Sequence, residues 1–549
     1  MTDPAGERAP VPDPFAVDVR VLRDLRRQRR RRRLADIEWF EAAYRVYLVG
    51  FLAAFTVLTV SSAIGDEAAT ASQLAWVREH GPAAVGLVAA VAAALGLRSG
   101  SRGGPLALEA AEVRYVLLAP VRRRGALLGP AGRQVRYLVF VGVAAGAACG
   151  QLASLRLPGT LLPWAAACAA TGALVAALFA GCGYVAAGSR LPRPLVTLLG
   201  AVLVGWAALD LAEVAPAPTT ALGGIALWPL RFHAVEVLAF PAVAAVVLAG
   251  LRQLGGVSLE AAERRTELVG QLRFAVTLQD LRTVLLLRRQ LAQERPRTSP
   301  WWTLRRAGHH AVWRRDWRGY LRFPAMRLAR MVVLTALAAA CLVVAYHDAR
   351  IAVVGAALAA YLVGLDAIEP LAQEVDQADW ADSAPVERGV LLARHLPAAA
   401  VVTALIALIG AATAVAIERT ALAAAVIAVA APCAALAATA AAVVTIVSGM
   451  PESTSSMTNQ EILPPEIAGM RVVVRTVWPL VLATVGTTPV LAARAAADAD
   501  RPIVAGALQG AMATALVAAL VVAWVRHREP AKAWWRRTLE ASQDARKPT

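Results

Sequence analysis

The chain has 549 residues, 58% hydrophobic and 17% charged, with 56 basic against 39 acidic residues and a net charge of +17; its mean hydropathy is +0.55. Soluble proteins carry about 25% charged residues, so this chain cannot coat the three or four soluble cores that its length would otherwise allow. A cytosolic enzyme, a secreted disulfide scaffold and a disordered chain are excluded, and an integral membrane protein remains.

The first segment, 1–43, is polar and holds the run Arg26-Arg27-Gln28-Arg29-Arg30-Arg31-Arg32-Arg33. It has no short apolar core beside a small-residue cleavage site, so it does not read as a signal peptide. So basic a block is expected to stay in the cytoplasm. A basic helix is predicted over 18–34. Spanning helices need about 20 mostly apolar residues, and twelve stretches qualify: 44–64, 82–98, 137–155, 161–187, 195–213, 234–251, 331–347, 351–366, 396–417, 421–447, 474–491 and 503–525.

The intervening charges set the orientation. Asp66, Glu67, Arg78 and Glu79 follow the first span and suit the outside. Arg102, Arg114, Arg122, Arg123, Arg124 and Arg133 follow the second and suit the inside. Segment 252–330 has seventeen arginines against six acids, and the tail carries Arg526, Arg528, Lys532, Arg536 and Arg537, so both are expected inside. Both termini are therefore predicted to be cytoplasmic. The inner loop 367–394 departs from the rule by being acidic.

Two matches point to an internal repeat. The stretch from Asp18 to Gln28 aligns with that from Asp280 to Gln290 at six of eleven positions. Pro105-Leu106-Ala107, Glu109 and Ala119-Pro120-Val121, Arg123 align with Pro370-Leu371-Ala372, Glu374 and Ala384-Pro385-Val386, Arg388. Six spans per unit is an even number, so the copies run in the same direction, related by an axis along the membrane normal. The fold is predicted as an all-α polytopic membrane protein of about twelve transmembrane helices in two parallel six-helix repeats. The expected parts are a cytoplasmic segment 1–43, a first repeat 44–255, a linker with interfacial helices 256–330, a second repeat 331–525 and a cytoplasmic tail 526–549.

Each repeat opens on a basic element. In the second, Trp301, Trp302, Trp313, Trp317, Tyr320 and Phe323 interleave with arginines, as suits a helix lying at the inner headgroup zone. The candidate interfacial residues are Arg26, Arg27, Arg288, Arg289, Trp313 and Trp317. Between the paired prolines of each loop an amphipathic helix is predicted, opened by the first proline and ended by the second.

Chemistry-bearing motifs are absent from the sequence. The only lysines, Lys532 and Lys547, lie in no Gly-rich loop, so the chain has no P-loop. Cys149, Cys168, Cys182, Cys341 and Cys433 all fall in apolar stretches and read as packing residues. His309-His310 lacks the neighbours of a metal site. No nucleic-acid motif appears. Asp210, Glu236 and Asp366 lie near span ends and read as polar flanks. The scarcity of acids inside the spans counts against an ion-coupled carrier.

The Pro-Leu, Glu, Pro-Val-x-Arg pattern after the second span, with the basic helix before the first, resembles that of ABC-type exporter permeases of the ABC-2-like group. The fused, twelve-span actinobacterial type is the most similar. The resemblance implies a permease in the bacterial cell membrane, contacting lipid and two separate ATP-binding subunits. ATP would be bound by those partners; no catalytic site, cofactor or metal belongs to this chain. Its ATPase-contact residues would be Pro105, Glu109, Glu112, Arg114, Pro120 and Arg123 in the first loop, and Pro370, Glu374, Asp379, Pro385 and Arg388 in the second. The second loop carries Asp376, Asp379, Asp382 and Glu387 where the first has Ala111, Arg114, Leu117 and Arg122, which puts equal use of the two loops in question. The alternatives are an ion-coupled secondary carrier with 6+6 repeats and a non-transporting scaffold or immunity protein. Against the carrier, the loop after the second span lacks the G-x-x-x-D-R-x-G-R-R-like run of that class. The charge-poor spans favour a lipid, peptide or hydrophobic drug as cargo.

Overall fold

The computed structural model describes residues 68–104, 106, 108, 112–117, 123–260, 297–303, 311–347, 352–377, 383, 385–418, 420–448 and 477–544, with scattered positions in 24–61 and 262–270. Among these, every regular element is helical. The chain divides into two compact units, Met1–Arg273 and Phe274–Thr549.

In the first unit α1 is Ala71–Gly100, followed by a π-helical turn Glu112–Val116, α2 (Arg123–Arg156), α3 (Leu161–Gly188), α4 (Arg193–Leu211), the short α5 (Thr220–Ala226) and α6 (Ala239–Gln253). A 3-10 turn, Ala234–Leu238, leads into α6 and another, Leu254–Gly256, closes it. α1 starts well before the apolar stretch 82–98 because Thr70 caps it. The Thr70 hydroxyl accepts from Gln73 N–H and the Gln73 side chain accepts from Thr70 N–H at 3.1 Å. This reciprocal pair lets the polar Ala71–Gly81 stretch join the helix.

α3 lies in the middle of this unit, packed against α1, α2 and α6. Gly142, Gly146 and Gly150 form a stripe on α2 that lies directly against the backbone carbonyls of Gly172, Cys168 and Trp164 on α3. Small residues four apart let two helix backbones approach this closely.

In the second unit α7 is Ala311–Tyr320, α8 Ala325–Tyr346, α9 Ala352–Ala367, α10 Glu369–Asp376, α11 Arg388–Ala393, α12 Leu396–Glu418 and α13 Ala421–Ser448. Val477–Val485 is α14, Thr488–Asp498 α15 and Ile503–Asp544 α16. α13 lies in the middle, packed against α9, α12 and α16. Two pairs are bent: α9 and α10 by 60°, α14 and α15 by 52°. The second helix of each pair has a proline in its first turn, Pro370 and Pro489. Proline has no N–H to give and its ring clashes with the carbonyl four residues back, so the preceding helix cannot run on. α10 therefore opens at Pro370 as the sequence predicts, but it ends at Asp376, well short of Pro385.

Among the described residues nine helices are long and apolar enough to cross a membrane, or eleven if each bent pair is one span. Their outward faces are apolar as well. Only 11% of the apolar window of α2 is buried, and Phe140, Leu162, Leu408 and Leu516 are all at least 62% exposed. A soluble helix hides one apolar stripe, whereas a helix apolar all round needs lipid outside it. The protein is thus helical and membrane-embedded. The predicted spans from 82–98 onward each correspond to one of these helices or bent pairs. The predicted span 44–64 lies mostly outside the described residues.

Candidate functional site: buried charge brackets

The sequence places its candidate residues around two segments, one in each unit. In the second unit the segment is α10 with α11. α10 buries Pro370, Leu371, Ala372, Glu374 and Val375 and leaves Gln373 exposed. Burying Glu374 at 3% exposure demands a partner. Arg315 of α7 supplies it, its Nη2 pairing with Glu374 Oε2.

Beside Arg315 in the chain, Asp316 is also buried, and both of its carboxylate oxygens lie 2.9 Å from Nδ1 of His395. His395 sits in the turn between α11 and α12. With Nδ1 donating to the carboxylate, Nε2 is left facing Glu374 Oε2 at 4.0 Å, beyond hydrogen-bond range, and Nε2 has no hydrogen-bond partner. Arg315, Glu374, His395 and Asp316 thus tie α7, α10 and the start of α12 together.

α8 adds a second layer. Arg330 grips Asp366 with Nε at 3.0 Å and Nη2 at 2.7 Å. Arg327 Nη2 donates to the Asp366 carbonyl at 2.7 Å and to Glu369 at 3.3 Å. Its guanidinium also covers the Phe323 ring at 4.0 Å. Trp313, Trp317, Tyr320 and Phe323 form a run of edge-on contacts from 5.4 to 5.9 Å. This run packs on Met331, Val363, Ala367, Ala398 and Val402. The aromatic stripe of α7 therefore faces the helices of its own unit. Tyr320 O–H donates to the Ala367 carbonyl at 2.6 Å. Burial, and then the charge of Asp316, push the Tyr320 phenol well above its ordinary value.

In the first unit the described part of the loop is the π-helical turn. Arg26 Nε donates to Glu112 Oε1 at 3.0 Å, and Arg26 Nη2 to the Ala126 carbonyl at 3.0 Å. This arginine, from the basic segment, joins the turn to the start of α2. Tyr115 points outward with 75% of its surface exposed, and Arg27, Arg123 and Arg124 are exposed. Arg114 lies in the turn. In the second unit Pro385 and Glu387 are exposed and Arg388 begins α11 half-buried. Pro105, Glu109, Pro120, Asp379, Arg288 and Arg289 lie outside the described residues.

Sequence reasoning missed the Asp316–His395 and Arg330–Asp366 pairs. The acids read as polar flanks are engaged: Glu236 accepts from Trp228 Nε1 at 2.7 Å, and Asp210 accepts from the Thr220 hydroxyl. Among the described residues no group of three or more His, Cys, Asp and Glu could hold a metal ion. The brackets make no nucleophile; they fix short segments to helices and hold titratable groups out of water.

No protein-family model matches the chain. No curated protein matches it, and no solved structure does.

Proposed function

We propose that this chain is the membrane-spanning permease subunit of an ATP-driven ABC exporter, energised by two separate ATP-binding subunits. In this reading it has twelve spans as two copies of a six-helix unit, with both termini on the cytoplasmic side of a bacterial cell membrane. One observation carries the reading. In each unit an arginine from ahead of its long helices pins an acid in the segment that the permease motif occupies: Arg26 on Glu112, Arg315 on Glu374. A segment so braced is a push-point. Force on α10 would pass into α9 by direct connection, into α7 and α8 through their arginines, and from α7 into α12 through the Asp316–His395 pair. The exposed neighbours Tyr115, Arg123, Pro385 and Glu387 are the groups an ATPase would meet, while Glu374 serves from within.

The packing order supports the repeat. α3 touches α1, α2 and α6 in one unit, as α13 touches α9, α12 and α16 in the other. In the proposed count each is a fourth span packed on the second, third and sixth.

Copurification tests the function. Affinity capture of the full chain from its own membranes should bring down ATP-binding subunits, and transport should stop when their P-loop lysine is replaced. A chain recovered alone that moves substrate on a proton gradient refutes the reading. That outcome belongs to the second one, an ion-coupled carrier, which the buried Asp316–His395–Glu374 cluster favours because proton relays use such groups.

A further inference from the structure

α8, α12 and α13 of the second unit enclose a cleft with a cavity volume of about 80 Å3. Each helix gives it one stripe of side chains: Thr335 to Tyr346, Thr403 to Glu418, and Ala423 to Ala438. At 1.5 Å per residue the α12 stripe runs about 22 Å, longer than one leaflet's share of the hydrocarbon layer. The space exists because the wall residues are small. Ala338, Ala407, Ala414 and Ala430 line it where larger side chains would fill it, while Gly410 lets α12 lie close against Thr335 of α8.

The middle of this cleft is walled almost wholly by apolar side chains, with Thr335 beside Gly410 its one hydroxyl, too few polar partners to hold water, so it takes hydrocarbon. Its ends differ. At one end the Thr403 hydroxyl is already satisfied by the Ala399 carbonyl at 3.0 Å and by Thr439 at 2.9 Å. At the other end stands Glu418, the only charged residue among those lining the cleft. Its Oε2 lies 2.7 Å from His347 Nε2, and a carboxylate has room for further donors. Arg494, the nearby cation on α15, is directed at the carbonyls of Ala345 and Tyr346 and at Asp498. A slender apolar body and one cationic, hydrogen-bond-donating head match this layout.

We propose that the cleft binds a single-chain amphiphile carrying an amine, its hydrocarbon chain between α8, α12 and α13 and its ammonium on Glu418. The cavity has no room for a second chain, which sets a free amphiphile apart from a bilayer phospholipid. This site stands independently of the permease reading, because binding needs no ATPase.

The test uses the full chain in phosphatidylcholine nanodiscs with two photoactivatable probes of one chain length, a diazirine-bearing octadecylamine and the matching octadecanol. Labelled peptides are mapped by mass spectrometry. Label should concentrate on the cleft stripes of α8, α12 and α13. The amine should label about tenfold more strongly than the alcohol, the scale of one charge-assisted hydrogen bond. Glu418→Gln should remove that difference and leave alcohol labelling unchanged, and Ala411→Trp should block both probes. Glu418→Gln is nearly isosteric, so it remains informative if the tryptophan variant does not fold. Equal labelling by amine and alcohol, label spread over all lipid-facing helices, indifference to Glu418→Gln, or displacement by equimolar phosphatidylethanolamine would each overturn the proposal.

Discussion

Asp316 and His395 have side chains with no exposure at all, so each depends on the other. Removing one partner of a buried pair strands the survivor and costs about 3–5 kcal/mol, whereas replacing both with apolar groups is often near neutral. Asp316→Leu and His395→Leu should each lower the thermal midpoint sharply, and the double variant should recover much of the loss. A strictly additive double variant would show that the two are not coupled. Tyr320 gives a pH signature. Its ordinary value is 10.0, and burial with Asp316 raises it, so the folded phenol stays neutral where the unfolded one ionises. Its contribution is whole below about pH 10 and declines as pH climbs above that. Tyr320→Phe should cost about 1 kcal/mol near neutrality through the lost bond to the Ala367 carbonyl. It should also flatten the alkaline decline, as melts at about pH 8 and about pH 11 would reveal. None of this was legible in the sequence. Asp316 and His395 are 79 residues apart, and the Arg-Arg-Asp-Trp-Arg context read as a lipid-facing basic helix. A lone acid among arginines was the one signal that something had to neutralise it.

At the scale of elements, hydropathy served well where a span is bounded by charge. The predicted 396–417 and the observed Leu396–Glu418 nearly coincide, since an apolar run ending at Glu418 leaves little choice. It served less well where polar residues continue a helix beyond the lipid. The Thr70-x-x-Gln73 cap of α1 was readable, but the apolar period starts only later. The helix start at Pro370 was read from the proline, whereas 474–491 was taken as one span although Pro489 breaks it by 52°, and α5, seven residues with two glycines, carries no periodic signal. Helix contact is where glycine decides. A side chain at Gly146 would collide with the Cys168 carbonyl, whereas one at Gly132, on the same helix, meets nothing within 4 Å. Gly146→Leu should therefore part α2 from α3, costing about 1–3 kcal/mol or more, and reduce the monodisperse fraction on size exclusion. Gly132→Ala should be neutral or slightly stabilising. Equal behaviour of the two variants would mean that the stripe does not hold these helices together.

For the whole molecule the decisive quantity is the parity of its spans. The proposed twelve would put both ends on one side, and by the arginine blocks that side would be the cytoplasm. A fluorescent protein fused to either terminus should fluoresce, and alkaline phosphatase at the same places should be inactive. Phosphatase activity at one end only would make the count odd and remove the twofold internal architecture with it. Charge asymmetry was the global feature most legible in the sequence. The packing order around α3 and α13 was not, because it follows from which small residues face each other rather than from overall composition.

The last helix, α16, is 42 residues long, about 63 Å against a hydrocarbon layer of about 30 Å. Such a mast must stand out of the bilayer at its foot or its tip. It has a collar: Gly389 of α11 lies against the carbonyls of Val525 and Arg526, and Arg528 reaches the Val447 carbonyl at the end of α13. Just beyond, Pro530 lies within the helix and leaves the Arg526 carbonyl without its usual donor, so the rod yields most easily there. Residues 532–544 overhang that point by about 20 Å. A bend of about 20°, the scale of a proline kink, would carry the tip about 7 Å sideways. The tail has the geometry of a pointer: a small change of angle at Pro530, next to the contacts with α11 and α13, would be magnified at its end.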